Sequence, residues 1–233
     1  MLRSCKTTVR TIPKVTGVFS VDDIERIIKG CDNYKHAIVY KGIYLLAFHA
    51  FLRISNIAAI NHNSFDYTRN LSRGDVIVNR PYIHVIIKWS KTLQSSDQHH
   101  TIPITEMKNH RLCPVLHLCN YLESSSGSIN DPLFAIKVGN NNVTVSHVQI
   151  RRHLRLVLRS INIDPSTHGF HTFRRSAATL AQSVNVNYES IQPGGRKQST
   201  HICAIHLYRI PFHWRSELYS HSSDCITIII LIQ

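Results

Sequence analysis

One stretch of the sequence decides the fold, and it reads His171-Thr172-Phe173-Arg174-Arg175-Ser176-Ala177-Ala178-Thr179-Leu180-Ala181-Gln182. Its apolar positions have the spacing of an amphipathic helix that follows a connector with Pro165 and Gly169. His171 and Arg174 are three residues apart, so they project from one face of its first turns. Helix N-termini attract anions, because their free N–H groups and the helix dipole point outward. The stretch therefore predicts either a phosphate site or an ordinary basic first turn.

The composition indicates a globular protein with an anionic partner. Of the 233 residues, 43% are hydrophobic and 18% charged, which is enough to bury a sizeable core. Lys and Arg number 27 against 14 Asp and Glu, so the net charge is +13. Such an excess on a folded chain points to a polyanion, most often nucleic acid. No basic amphipathic anchor favours a membrane surface instead.

The cysteines and the chain ends indicate an intracellular protein. The six cysteines form no C-x-x-C pair and fit no zinc ribbon or disulfide scaffold, so we expect free thiols. No apolar signal segment opens the chain, and the apolar run 226–232 is shorter than the ~20 residues that span a bilayer. We therefore expect no membrane partner and an intracellular location, which is nuclear if the source is eukaryotic.

The sequence predicts no metal and no cofactor. Its 16 histidines match no metal-ligand spacing that also offers supporting carboxylates. Phosphate-loop, nucleophile-elbow and H-E-x-x-H motifs are absent from the sequence, so we expect no small-molecule substrate.

Periodicity predicts an α+β fold that is mainly α-helical with a small antiparallel β-sheet. Ser20 and Asp23 predict a capping box before a helix that stops at Gly30. Further helices are predicted at 36–60, 112–122 and 146–160, and loops at 124–131 and 140–142. Segments 76–78, 82–88 and 101–104 predict strands, with Lys88 and Lys91 at the hairpin turn.

Arginines on two of these helices have open interpretations. Arg53 stands between Leu52 and Ile54, where a guanidinium must be paired, solvated at a cleft or extended to the surface. The outer face of helix 146–160 either follows a phosphate backbone or is merely solvated, and it carries Arg151, Arg152, Arg155 and Arg159. Its apolar side is predicted to turn Val148, Leu154, Val157 and Leu158 inward.

The order of these features resembles the catalytic domain of tyrosine recombinases, the phage-integrase family. FLRISNI contains Arg53, KWSKTLQ contains Lys91, and H-T-F-R contains His171 and Arg174. More narrowly, FLRISNI, IKWSKT and FHTFRRSAATLA are similar to recombinases of DIRS/Ngaro-type retroelements and cryptons. The resemblance implies a catalytic domain at 18–192, a basic arm or linker at 1–17 and an atypical tail at 193–233.

This resemblance implies cleavage and rejoining of double-stranded DNA through a 3′-phosphotyrosyl bond, without metal or cofactor. Arg53 and Arg174 would clamp the non-bridging oxygens, and His171 would act as general acid/base. Lys91 would protonate the leaving 5′ oxygen, with Lys88 the weaker candidate. We expect a homo-oligomer on DNA and further DNA contacts from Lys88, Arg151, Arg152, Arg155 and Arg175. For Arg175, contact with an acidic neighbour is the alternative.

The sequence also departs from the family pattern. Asn56 stands where many members have an acidic residue, and only a short arm precedes the domain instead of a helical N-terminal one. After Gln192 the family's His-Gly-x-Trp-like turn is missing from the sequence. Tyr208 lies close to the family's interval for the nucleophile in unlike surroundings, and Tyr219 lies farther on.

We explain the tail as degenerate or frame-shifted near Gln192. Residues 202–205 can be encoded ATA-TGC-GCN-AT, and one frame over this stretch reads Met-Arg-Tyr when Ala204 uses GCT. The recombinase would then be impaired, so two alternatives stay open. One is a DNA-binding relic without a nucleophile, and the other is a protein-interaction module that acts through its tail.

Overall fold

The computed structural model describes residues 16–89, 99–107, 111–139 and 141–183, together with the backbone of two strands at 201–209 and 225–232. Its α-helices are α1 (Val21–Gly30), α2 (Ala37–His49), α3 (Ile54–Ile57), α4 (Pro114–Ser124), α5 (His147–Ser160) and α6 (Phe170–Ser183). Its strands are β1 (Val76–Asn79), β2 (Tyr82–Ile87), β3 (His100–Thr105), β4 (Ala135–Val138), β5 (Asn141–Thr144), β6 (His201–Arg209) and β7 (Cys225–Ile232).

Helix α2 forms the centre of the core. It is apolar on all sides, as expected of a helix surrounded by protein, and its residues from Val39 onward are almost all buried. It packs against α4 and α6. The ring of Tyr44 stacks on that of Phe173 with 5.1 Å between centroids, which anchors α6 to the core.

Two helices begin where the sequence predicts them, and both start with a capping box. Ser20 Oγ accepts from Asp23 N at 3.1 Å, and Asp23 Oδ2 accepts from Ser20 N at 3.0 Å, at the start of α1. Ser146 caps α5 in the same way. The predicted inward position of Val148 is wrong, because this residue of the first turn of α5 is 68% exposed.

The predicted antiparallel sheet is confirmed in the order β1-β2-β3. Its buried face pairs Ile83 with Ile104 and Val85 with Ile102. The loop prediction at 140–142 is wrong, because Asn141 begins β5, which pairs with β4. Gly139 has a φ of 60° and supplies the left-handed turn residue between the two strands.

The prediction of one helix over 36–60 is also wrong. Helix α2 ends at His49, and α3 begins only at Ile54. Between them Phe51 adopts a left-handed conformation with a φ of 52°, which turns the chain sharply. Arg53 therefore lies at the N-cap of α3, outside the long helix.

The structure confirms the α+β, mainly helical fold. Strands β6 and β7 pair in parallel as a separate two-stranded sheet. Cys31, Cys113 and Cys119 are free thiols. None of the helices within the described residues has the length and hydrophobicity needed to cross a bilayer.

Candidate active site

The turn after α2 brings Arg53 to the candidate site. Leu52 N donates to Ala47 O at 3.0 Å, which closes the end of α2, while the ring of Phe51 is buried. Left-handed backbone in a bulky residue is unfavourable and persists only where the surroundings enforce it. The turn leaves Arg53 half-buried beside α3.

Arg174 joins this turn to α6. Its Nη1 donates to Phe51 O at 2.5 Å, a contact between residues 123 positions apart in the chain. A guanidinium that donates to a carbonyl makes a strong, charge-assisted hydrogen bond. The strained residue therefore directs its carbonyl toward Arg174, and the same turn carries Arg53 two residues later.

His171 lies in the field of three arginines. Partial desolvation lowers its pKa below the usual histidine value, and the charges of Arg175, Arg174 and Arg53 lower it further. The shift favours the neutral imidazole, although its side chain reaches solvent. A neutral ring among fixed cations can accept a proton, as a general base requires.

Asn56 connects Arg53 to the hairpin between β2 and β3. Its Oδ1 accepts from Arg53 N at 3.1 Å, and its Nδ2 donates to Trp89 O at 2.8 Å. The side chain is 5% exposed, and only this orientation of the amide satisfies both partners. Trp89 precedes the segment 90–98 that contains Lys91, so Lys91 lies outside the described residues.

Replacing Asn56 by Asp should destabilise the protein by about 1–3 kcal/mol, because a carboxylate cannot donate to Trp89 O and leaves that carbonyl unpaired. Urea unfolding at pH 7 measures the change in the free energy of unfolding. The matched control is Asn63→Asp, at an exposed residue whose side chain makes no hydrogen bond among the described residues. Equal unfolding free energies for the two variants would contradict the assigned role.

Lys88 is engaged inside the protein. Its Nζ lies 2.7 Å from Asp75 Oδ2 and 3.3 Å from Ser72 Oγ, and Asp75 itself is buried. Asp75 Oδ2 also accepts from Ser72 N at 2.7 Å. The ammonium thus stabilises the start of the sheet, and DNA contact by Lys88 remains a prediction that would require breaking this ion pair.

Comparison with known proteins identifies the family. The protein-family model described as "Phage integrase family" matches residues 18–193 of this sequence. This chain belongs to the phage integrase family. No match was found among curated proteins.

Solved structures of phage integrase relatives have the same fold. XerH site-specific recombinase bound to difH substrate, in a pre-cleavage complex, is 12% identical with a TM-score of 0.53, over 77% of this chain and 46% of that one. XerA recombinase is 20% identical with a TM-score of 0.52, and the match covers 76% of this chain and 55% of XerA. The Tn1549 transposon integrase in complex with transposon right end DNA is 16% identical with a TM-score of 0.50, and the match covers 78% of this chain and 58% of the integrase chain. The chain thus spans about half the length of these relatives.

Helix α5 presents a basic surface in this phage integrase domain. Arg151, Arg152, Arg155 and Arg159 are all exposed, and their side chains make no ion pair among the described residues. The helix start is fixed near α3, since His147 N donates to Ala59 O at 3.0 Å and His147 Nε2 lies 2.8 Å from Ala58 O. The arginine row therefore begins close to the turn that carries Arg53.

The predicted nucleophile of the phage integrase chemistry lies in the tail. Tyr208 belongs to β6, where its backbone is in register with Leu231 of β7. The described side chains end at Ser183, so the hydroxyl of Tyr208 lies outside them, as does Tyr219. The structure thus brings together Arg53, His171 and Arg174, while the roles of Lys91 and Tyr208 remain predictions.

Two contributors to the site differ in how far the sequence reveals them. The carbonyl of Phe51 has no sequence signal, because any residue offers a carbonyl and the turn depends on tertiary packing. Asn56 does have a signal, since it replaces the acidic residue of the family pattern. Its amide donates to Trp89 O, so the departure marks a different hydrogen-bond arrangement at this position.

Proposed function

We propose that the chain is the catalytic domain of a tyrosine-type DNA recombinase of mobile-element origin. The observation that carries the proposal is the hydrogen bond from Arg174 on α6 to Phe51 O, in the turn that carries Arg53. Both arginines lower the pKa of His171, although they come from distant parts of the sequence. The basic face of α5 and the net charge of +13 support duplex DNA as the substrate. A recombinase of this kind would act inside the cell, at DNA.

The proposed reaction exchanges one phosphoester bond for another. The phenolic oxygen of Tyr208 attacks phosphorus while the bond from phosphorus to the 5′ oxygen breaks. His171 takes the phenolic proton, and Lys91 gives a proton to the 5′ oxygen. Arg53 and Arg174 stabilise the negative charge that develops on the non-bridging oxygens, where preorganised donors have their largest effect. The reverse reaction rejoins a strand and requires no external energy.

The membership of the chain in the phage integrase family supports this chemistry, and two structural relatives were solved with their DNA. A closer kinship with DIRS/Ngaro-type and crypton recombinases is part of the proposal, and the motifs around Arg53, Lys91 and His171 support it. Assembly into a homo-oligomer on DNA is part of the same proposal.

A nicked suicide DNA substrate tests the proposal, because loss of the short cleaved fragment traps the covalent intermediate. We expect a protein–DNA adduct that resists SDS and disappears in Tyr208→Phe. Tyr219→Phe is the matched control and should retain the adduct. Loss of the adduct only in Tyr219→Phe would assign the nucleophile to Tyr219 instead.

A DNA-binding domain without cleavage is the second candidate function. The observation that favours it is the missing His-Gly-x-Trp-like turn after Gln192. In the same assay it would give salt-dependent binding and no adduct. Binding with a shallow salt dependence would instead favour the interaction module, because phosphate contacts release counterions.

A further inference from the structure

Residues 16–19, here called the entry strap, lie along the start of α6. Gly17 N donates to Thr167 O at 3.0 Å, in the connector that precedes this helix. On the other side of the same residue, Gly17 O accepts from Arg175 Nη1 at 3.0 Å. The strap is thus fixed at one glycine by both the connector and the helix.

Phe19 provides a second attachment. Its backbone N–H donates to Ser176 Oγ at 2.7 Å in a buried position, and Ser176 Oγ donates to Thr172 O at 2.8 Å. Its ring is 4% exposed, and it stacks on His168 and packs against Phe173 with 5.1 Å between centroids in each case. The strap therefore contacts both the first turn of α6 and the core side of that helix.

The close approach depends on the absence of a side chain at Gly17. A Cβ at this position would lie 1.9 Å from His168 Nε2, far inside van der Waals contact. Either the imidazole or the strap would have to move to accommodate it. This contact gives a way to loosen the strap without changing any charge.

We propose that Arg175 is a positioning residue that fastens the entry strap to α6 and thereby holds His171 and Arg174 in their places. The inference rests on the proposed function of those two residues. The strap contacts Phe173, Arg175 and Ser176 of α6. These residues lie in the same two turns of the helix as His171 and Arg174, so movement of one set moves the other. The guanidinium of Arg175 is half-buried and donates to the strap, whereas the arginines of α5 are exposed.

Two full-length variants, Gly17→Ala and Arg175→Ala, each change one of the two residues that form the hydrogen bond between the strap and α6. Hydrogen exchange should be about tenfold faster at the amides of residues 173–177 in each variant, since exchange reports local opening. The double variant should show less than the summed effect, because the two residues share one contact. If exchange at these amides matches wild type in both variants, the strap does not hold the helix.

The pKa of His171, measured by NMR titration, separates positioning from mere support. Gly17→Ala leaves Arg53, Arg174 and Arg175 in the protein, so a change in the pKa of His171 reports a change in the burial of the ring or in its position relative to these charges. We expect the pKa to rise toward the ordinary histidine value. Faster exchange with an unchanged pKa would overturn the proposal. If Gly17→Ala does not fold, Ser176→Ala replaces it, because it removes the acceptor for Phe19 N.

Salt-dependent DNA binding tests the alternative that Arg175 contacts a phosphate. The slope of log binding constant against log salt concentration counts the phosphate contacts. We expect Arg175→Ala to keep the wild-type slope, while Arg152→Ala on α5 should lower it by the amount of about one phosphate contact. A reduced slope in Arg175→Ala with wild-type exchange would overturn the positioning role. If wild-type protein binds no DNA, the proposed function fails, and exchange together with the pKa of His171 still decides whether the strap positions α6.

Discussion

Replacing Arg174 by Ala should lower the rate of adduct formation on a nicked DNA substrate by about 10²–10³-fold, the usual loss when one donor to a developing oxyanion is removed. The structure adds a second reason. Arg174 Nη1 donates to Phe51 O, so the substitution also removes a strong hydrogen bond from the left-handed turn that positions Arg53. Both predicted oxygen-binding groups are therefore affected by one change.

Arg174→Lys is the matched control, because it retains the positive charge but loses the planar fork of donors. We expect it to retain DNA affinity and to recover little of the lost rate. Adduct formation is followed on SDS gels and DNA binding by fluorescence anisotropy at several salt concentrations. If Arg174→Ala forms adduct within about threefold of the wild-type rate, Arg174 does not stabilise the transition state.

The site shows which features the sequence could predict. The capping box at Ser20 and the strand pattern of residues 82–88 are local signals, and the structure confirms α1 and β2, the elements that they predict. The spacing of His171 and Arg174 is also local, so their shared face follows from the helix alone.

Other features depend on contacts between distant segments. Residues 37–57 are apolar almost throughout, and periodicity cannot detect a single left-handed residue, so the break at Phe51 was missed. The hydrogen bond from Asn56 to Trp89 spans 33 positions of the sequence, and the one from Arg175 to Gly17 spans 158. The periodicity of neighbouring residues cannot predict contacts between segments so far apart in the sequence.

These long-range ties connect the site to the core through Tyr44. Its ring stacks on Phe173, which lies next to Arg174, and its hydroxyl lies 2.8 Å from Nδ1 of His153 on α5. Burial raises the pKa of Tyr44 well above 10, so the hydroxyl remains protonated. The hydrogen-bonded pair of Tyr44 and His153 thus lies at the junction of α2, α5 and α6, the three helices that position the proposed site.

His153 should make the protein unstable in mild acid. Its side chain is 7% exposed, its ring stacks on Tyr40 at 3.6 Å, and its Nε2 has no hydrogen-bond partner among the described residues. Burial lowers its pKa from 6.5 to about 4. Between these two pH values the unfolded chain binds a proton that the folded protein does not, so stability falls as the pH falls.

At about 1.4 kcal/mol per pKa unit, this one residue should cost about 3 kcal/mol of unfolding free energy as the pH drops from 6.5 to 4. Urea unfolding at intervals across that range measures the loss. The comparison is the double variant Tyr44→Phe, His153→Phe, which removes both polar partners together and leaves neither unsatisfied. His117, His147 and His171 also have lowered pKa values, so the variant should keep their pH dependence and lose only the contribution of His153. Parallel stability curves for the two proteins would show that His153 is not held neutral by the fold.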